Sequence, residues 1–229
     1  MSIEFIFNKI NNLSPNYISI WALPLTNPNA DSELIIIPGF SEVSYEQNYR
    51  TLFVSYIEKL QTDKFKKIHL VKFNNNHIYN LHQELLTFSE KYNFNVLTDL
   101  ENQLYKKCGD ILYEKLDKNS VYSVLAKSAG AGPAIFLCNT HPEIFKQLNL
   151  FAPDVKFISL SIKNVCDTFP KTIVGWNIKD NIVKFVDVWF TLYNILPQNT
   201  KLYTYNYHNY PIQFDTRHEI NAEFFDNII

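Results

Sequence analysis

The residues best suited to chemistry in this 229-residue sequence cluster in Ala126-Lys127-Ser128-Ala129-Gly130-Ala131-Gly132. The run follows VYSVL (121–125), a buried-strand pattern, and leads into PAIFL (133–137), which reads as helix. A serine at a strand–turn–helix junction can be presented as a nucleophile on a sharp, strained turn. Small residues must flank it so that strand and helix can approach each other. Ala126, two residues before Ser128, and Gly130, two after, meet that need, and Ala131 and Gly132 keep the helix start thin. Pro133 suits a first helical turn, where a missing N–H costs little. The plain alternative is a serine capping a helix after an ordinary strand-to-helix turn. The chain has five glycines, so two of them within this one turn point to a close backbone approach.

Other chemistries find less support. No H-E-x-x-H, P-loop or G-x-G-x-x-G pattern occurs, and the short G-x-G at 130–132 lacks the third glycine and the ribose-binding acid of a dinucleotide site. His69, His77 and His82 have no metal-ligand partner at useful spacing. His69 alternates within a strand pattern and reads as a structurally satisfied histidine, and His141-Pro142-Glu143 reads as a surface turn. Neither a metal nor an organic cofactor is expected. The three cysteines, Cys108, Cys138 and Cys166, are odd in number and widely spaced, which fits a reducing compartment and no disulfide framework.

With the turn around Ser128, the chain resembles the α/β-hydrolase superfamily, whose G-x-S-x-G pattern stands here as A-x-S-x-G. In that family the nucleophile is followed in the chain by an acid and then a histidine. The resemblance therefore implies a triad of Ser128, Asp180 and His218. Asp180 lies in GWNIKDNIV (175–183), just after the strand pattern TIVGW, and His218 lies in Arg217-His218-Glu219, just before a last helix. His218 would take the serine proton and return it to the leaving group, while Asp180 would orient the imidazole. Asp154, in Ala152-Pro153-Asp154, is the competing acid, since some members carry it after that earlier strand. Asp215 reads as a turn residue, and His208 reads as a pocket-rim residue rather than the base. The resemblance also implies an oxyanion hole from the N–H groups of Phe40 and Ala129. The Phe40 donor belongs to Pro38-Gly39-Phe40-Ser41, where the family often has H-G-x. The implied substrate pocket is lined by Phe40, Ser41, Lys127 and His208, with the Phe40 ring at the acyl wall.

Strands are expected at 17–25, 33–37, 67–73, 121–125, 148–151, 172–176 and 201–207, and helices at 45–60, 78–116 (interrupted at 93–95 and at Gly109), 185–196 and 219–229. Strand and helix alternate, which implies an α/β fold: a mostly parallel central sheet flanked by helices on both faces, with reactive groups at the carboxyl ends of the strands. No linker or repeat divides residues 1–229, so a single α/β-hydrolase-like domain is expected. Residues 155–170 leave room for a loop and at most one short helix, so no large lid is expected. The four tyrosines at 203, 205, 207 and 210 read as strand packing in preference to a hydrogen-bonding rim.

Composition bounds the partners. Hydrophobic residues make up 46% and charged residues 19%, which excludes intrinsic disorder. The 21 basic and 23 acidic residues leave a net charge of -2, with no basic excess to bind nucleic acid. The N-terminus lacks a signal-peptide pattern, and no run approaches the ~20 apolar residues of a membrane span. A cytoplasmic protein acting on a small-molecule ester or acyl substrate is expected. The alternatives left open are a catalytically inactive hydrolase fold used for binding or assembly, and a peptidase or thioesterase with the same triad.

Overall fold

The computed structural model describes residues 3–23, 26–40, 57, 60, 62–74, 76–88, 94–156, 158, 169–205, 220 and 222–226. The seven described strands are β1 (Ile18–Ala22), β2 (Glu33–Ile37), β3 (Ile68–Phe73), β4 (Tyr122–Lys127), β5 (Phe145–Phe151), β6 (Lys171–Asn177) and β7 (Lys201–Tyr205). They form one sheet in the order β1-β3-β2-β4-β5-β6-β7. The neighbours from β3 to β7 pair in parallel, and β1 closes one edge antiparallel to β3, with Ile18 opposite Phe73. This is the mostly parallel α/β sheet expected. Every residue of β2 and β4 is buried, as strands covered on both faces require. The edge strands β1 and β7 are only partly buried.

The described helices are α1 (Ile3–Asn11), α2 (His77–Phe88), α3 (Phe94–Lys115), α4 (Ala131–Thr140), α5 (Phe185–Ile195) and α6 (Ala222–Asp226). Helix α1 was not anticipated. Ile6 and Ile10 bury one face at i, i+4 spacing, and Lys9 reaches Glu84 of α2 with both carboxylate oxygens at 2.9 Å. The expected helix at 45–60 lies outside the described residues except for Ile57 and Leu60. No helix among the described residues is long and apolar enough to cross a membrane.

Gly109 does not interrupt the helix, contrary to the sequence reading: α3 runs unbroken from Phe94 to Lys115. A Cβ at Gly109 would come within 3.2 Å of the Pro133 carbonyl oxygen and 3.4 Å of the Leu137 nitrogen, both in α4. The glycine serves the neighbouring helix, not a turn. Gly132 makes the reciprocal concession, since a Cβ there would sit 2.4 Å from the Tyr105 ring. Helix α4 can be so enclosed because it is apolar all round, with every residue from Ala131 to Cys138 buried.

At the amino ends of the strands, the Glu33 carboxylate bridges the His69 ring nitrogen Nε2 and the Ser120 hydroxyl, which donates at 3.0 Å. His69 is thus satisfied within the sheet, as its alternation implied. This buried group lies at the end of the sheet opposite the turn that carries Ser128.

Candidate active site

Strand β4 ends at Lys127 in extended conformation (φ -123°, ψ 144°), and Ser128 then turns to φ 51°. That is left-handed backbone on a residue with a Cβ, which costs about 1–2 kcal/mol. Ser128 to Gly130 form one 3₁₀ turn, and the N–H of Ala131, the first residue of α4, bonds back to the Ser128 carbonyl. Ser128 itself is half-buried. The geometry is the sharp strand–turn–helix presentation that an elbow nucleophile needs.

Gly130 explains why this turn can be so tight. A Cβ there would stand 2.3 Å from the Pro38 carbonyl oxygen and 2.8 Å from that of Ile37. The turn therefore presses directly on the backbone leaving β2, the adjacent strand in the sheet. This contact brings Ala129, next to Gly130, near the Pro38-Gly39-Phe40 segment, which carries the other expected oxyanion donor. Both Ala129 and Phe40 are buried. The Phe40 ring packs edge-on against Phe73 at 4.9 Å and His82 at 5.4 Å between centroids. At 2% and 1% exposure, Phe40 and Lys127 offer a ligand almost no side-chain surface in this structure. Ser41 and His208, the other expected pocket residues, lie outside the described residues.

Asp180 follows β6 in a loop held at several points. Its Oδ1 accepts the N–H groups of Ile182 at 2.9 Å and Val183 at 3.0 Å, and its own N–H donates to the Asn177 carbonyl at 2.9 Å. The Trp176 indole N–H reaches the Val183 carbonyl at 2.9 Å, and the Ile178 N–H reaches the Tyr205 carbonyl of β7 at 2.9 Å. The carboxylate is thus buried and oriented at the carboxyl ends of two paired strands, β6 and β7. His218 falls after β7 and lies outside the described residues, as do Asp215 and Cys166. Beyond that segment, α6 returns to the sheet. Its Phe224 ring fills the space beside Gly175 of β6, where a Cβ would come within 2.4 Å, and meets Phe151 at 5.3 Å between centroids.

Asp154, the competing acid, engages the site through its backbone. Its N–H donates to the Ser128 carbonyl at 3.0 Å, and its carbonyl accepts the Tyr105 hydroxyl at 3.0 Å. Tyr105, His82 and Glu101 form a buried polar group under the turn, with the Tyr105 oxygen 2.9 Å from Glu101 Oε1 and 3.2 Å from His82 Nε2. Burial first, and then the nearby Glu101 and Asp154 carboxylates, push the Tyr105 phenol well above its ordinary range, so it stays a neutral hydroxyl. The sequence reading missed this group. Its one signal was His82, a histidine within a helical pattern and without a metal role. Among the described residues no cluster of ligating side chains could hold a metal ion. Burial also pushes the Cys108 and Cys138 thiols far up, away from the nucleophilic thiolate.

No family model matches the chain, and no curated protein matches it. Solved structures do. Est1E from Butyrivibrio proteoclasticus superposes with a TM-score of 0.56 over 92% of this chain and 91% of its own, at 13% identity. A predicted CIB-like hydrolase from Thermoplasma acidophilum gives 0.52 over 94% and 92%, at 15% identity. A phospholipase/carboxylesterase from Dyadobacter fermentans gives 0.52 over 92% and 93%, at 14% identity. These likenesses cover nearly the whole of each chain, and together with the strand order and the turn at Ser128 they show that this chain has the α/β-hydrolase fold.

Proposed function

We propose that the chain is a serine hydrolase that cleaves carboxylic esters of small molecules. The observation that carries this reading is the left-handed backbone of Ser128 at the β4–α4 junction, a strain of about 1–2 kcal/mol on a half-buried serine. Such strain persists where the surrounding structure enforces it, and it clusters at reactive groups. The fixed Asp180 carboxylate at the ends of β6 and β7 adds support, since the segment that follows β7 contains His218. The structural likeness to proteins named as esterases and hydrolases supports the same class of reaction.

In this reading His218 accepts the Ser128 hydroxyl proton as Oγ attacks the ester carbonyl carbon. Asp180 holds the imidazole in the accepting tautomer and stabilises the imidazolium. The Ala129 and Phe40 N–H groups receive the oxyanion. Collapse of the intermediate breaks the bond to the alcohol, which leaves with the proton from His218, and an acyl group remains on Ser128. Water then attacks the acyl carbon and passes a proton to His218; as the bond from the acyl carbon to Ser128 Oγ breaks, His218 returns that proton to Oγ, releasing the acid and restoring the free serine. Ser41 and His208 belong to the proposed substrate pocket. Incubation with a fluorophosphonate probe, followed by peptide mapping, tests the reading. The expected result is a single adduct on Ser128, with turnover on a panel of short chromogenic esters. An unlabelled, inactive protein would identify the fold as a binding scaffold, and preference for thioesters or peptides would move the substrate class.

A further inference from the structure

We infer that Tyr105 is a positioning residue for the nucleophile, acting through its hydroxyl on the backbone of Asp154. The inference rests on the reading of Ser128 as nucleophile. The described residues include three left-handed backbones on residues with a Cβ, and two of these, Ser128 (φ 51°) and Ala152 (φ 41°), directly follow the adjacent strands β4 and β5. Neither conformation is stable by itself, so other contacts must hold both. Ala152 is tied by its N–H to the Gly175 carbonyl of β6 at 2.9 Å. Two residues on, the Asp154 N–H donates to the Ser128 carbonyl at 3.0 Å and so joins the two strained turns. The Asp154 carbonyl in turn accepts the Tyr105 hydroxyl at 3.0 Å. Asp154 is therefore gripped by Ser128 through its N–H and by Tyr105 through its C=O.

The Tyr105 ring adds a second hold. It is fully buried, it occupies the space over Gly132 at the start of α4, and it lies 6.1 Å from the Phe40 ring between centroids. One side chain thus borders the end of the elbow, the partner turn and the residue carrying an oxyanion donor. Tyr105 touches no reacting atom. Its role is to keep Ser128 in the attack geometry, where a displacement of about 1 Å can cost up to about a hundredfold in rate. The hydroxyl has one proton, and the Glu101 carboxylate at 2.9 Å competes with the Asp154 carbonyl for it.

The test is the rate constant for fluorophosphonate labelling of Ser128 per folded molecule, with kcat and KM on one ester and the melting temperature of each variant. Tyr105→Phe keeps the ring and removes the hydroxyl. We expect labelling and kcat to fall about tenfold while KM stays within twofold. Glu101→Gln exchanges the competing carboxylate for an amide that can donate, and it should label at the wild-type rate or faster even if it melts lower. A merely structural role would lower both melting temperatures and leave both rates per folded molecule unchanged, which would overturn the inference. An equal loss of rate in both variants would also overturn it, because the hydroxyl would then not be the specific element. Should Tyr105→Phe not fold, the Glu101→Gln rate decides alone: labelling faster than wild type supports the inference, and an unchanged or slower rate overturns it. Failure of the wild-type protein to label sinks the nucleophile assignment and this inference with it, whereas labelled wild type with an unchanged Tyr105→Phe rate sinks the inference alone.

Discussion

Replacing Ser128 by glycine should leave the protein more stable than replacing it by alanine, the reverse of the ordinary order. At a regular helix or strand position glycine is worse than alanine by about 0.5–1 kcal/mol, because it has more freedom to lose on folding. At φ 51° a Cβ costs about 1–2 kcal/mol that glycine does not incur. Subtracting the ~0.4–1 kcal/mol of extra unfolded-state entropy leaves glycine ahead by about 0.8 kcal/mol at the midpoints of the two ranges. Both substitutions remove the hydroxyl, so the comparison isolates the backbone from the chemistry. For a chain of this size about 1 kcal/mol corresponds to ~2–4 °C, so the glycine variant should melt about 1–4 °C above the alanine variant. Urea midpoints with equal slopes would confirm that the unfolded states are comparable. An alanine variant as stable as the glycine one, or more so, would mean that Ser128 is not strained, and the main support for the nucleophile reading would go with it.

Asp180→Asn should retain both backbone hydrogen bonds to the side-chain oxygen and lose several orders of magnitude in ester turnover, while Asp154→Asn has a small effect, because Asp154 engages Ser128 through its main chain. The opposite ranking in kcat would move the acid to the end of β5. Covalent labelling of Ser128 should depend on His218 and much less on His208, and unchanged labelling in His218→Ala with loss in His208→Ala would exchange their roles. Gly130→Ala should give little folded protein, because its Cβ would strike two backbone carbonyls that cannot rotate away; soluble expression with a wild-type melting curve would contradict the packing of the turn on Pro38. Cys108 and Cys138 should resist a thiol reagent near neutral pH until the chain is unfolded, since both are buried with thiols pushed far up. Modification of all three cysteines in the native protein would refute this.

The order of strands and helices was legible because it is written in local periodicity. ELIII gave β2 with its observed bounds, TIVGW marked β6 to within one residue at each end, and KLYTYNY began where the described β7 begins, at Lys201. The turn at Ser128 was legible because its small residues are a local necessity. What the sequence hid was long-range. Gly109 looks like a helix breaker until α4 is placed against it. Helix α1 is short and borrows its stability from the core and from Glu84, 75 residues away. Tyr105 and Asp154 are 49 residues apart, and no spacing rule relates a helical tyrosine to a backbone carbonyl beyond a later strand. The packing of the Phe40 ring was likewise set by Phe73 and His82, which the motif around Phe40 does not contain.

The interlocking of Gly132 with the Tyr105 ring also constrains how this protein can evolve. A lineage that first enlarges Gly132 drives a methyl group to 2.4 Å from a fully buried ring. One that first shrinks Tyr105 opens a cavity and strips the Asp154 carbonyl of its donor, at a cost of several kcal/mol. Each single step passes through a destabilised intermediate, while the double change restores the volume. Among descendants the two positions should therefore be inherited as a pair, held together or exchanged together. A lineage that has exchanged them must have found another donor for the turn at Asp154, and a new polar side chain reaching that carbonyl would be the trace of it.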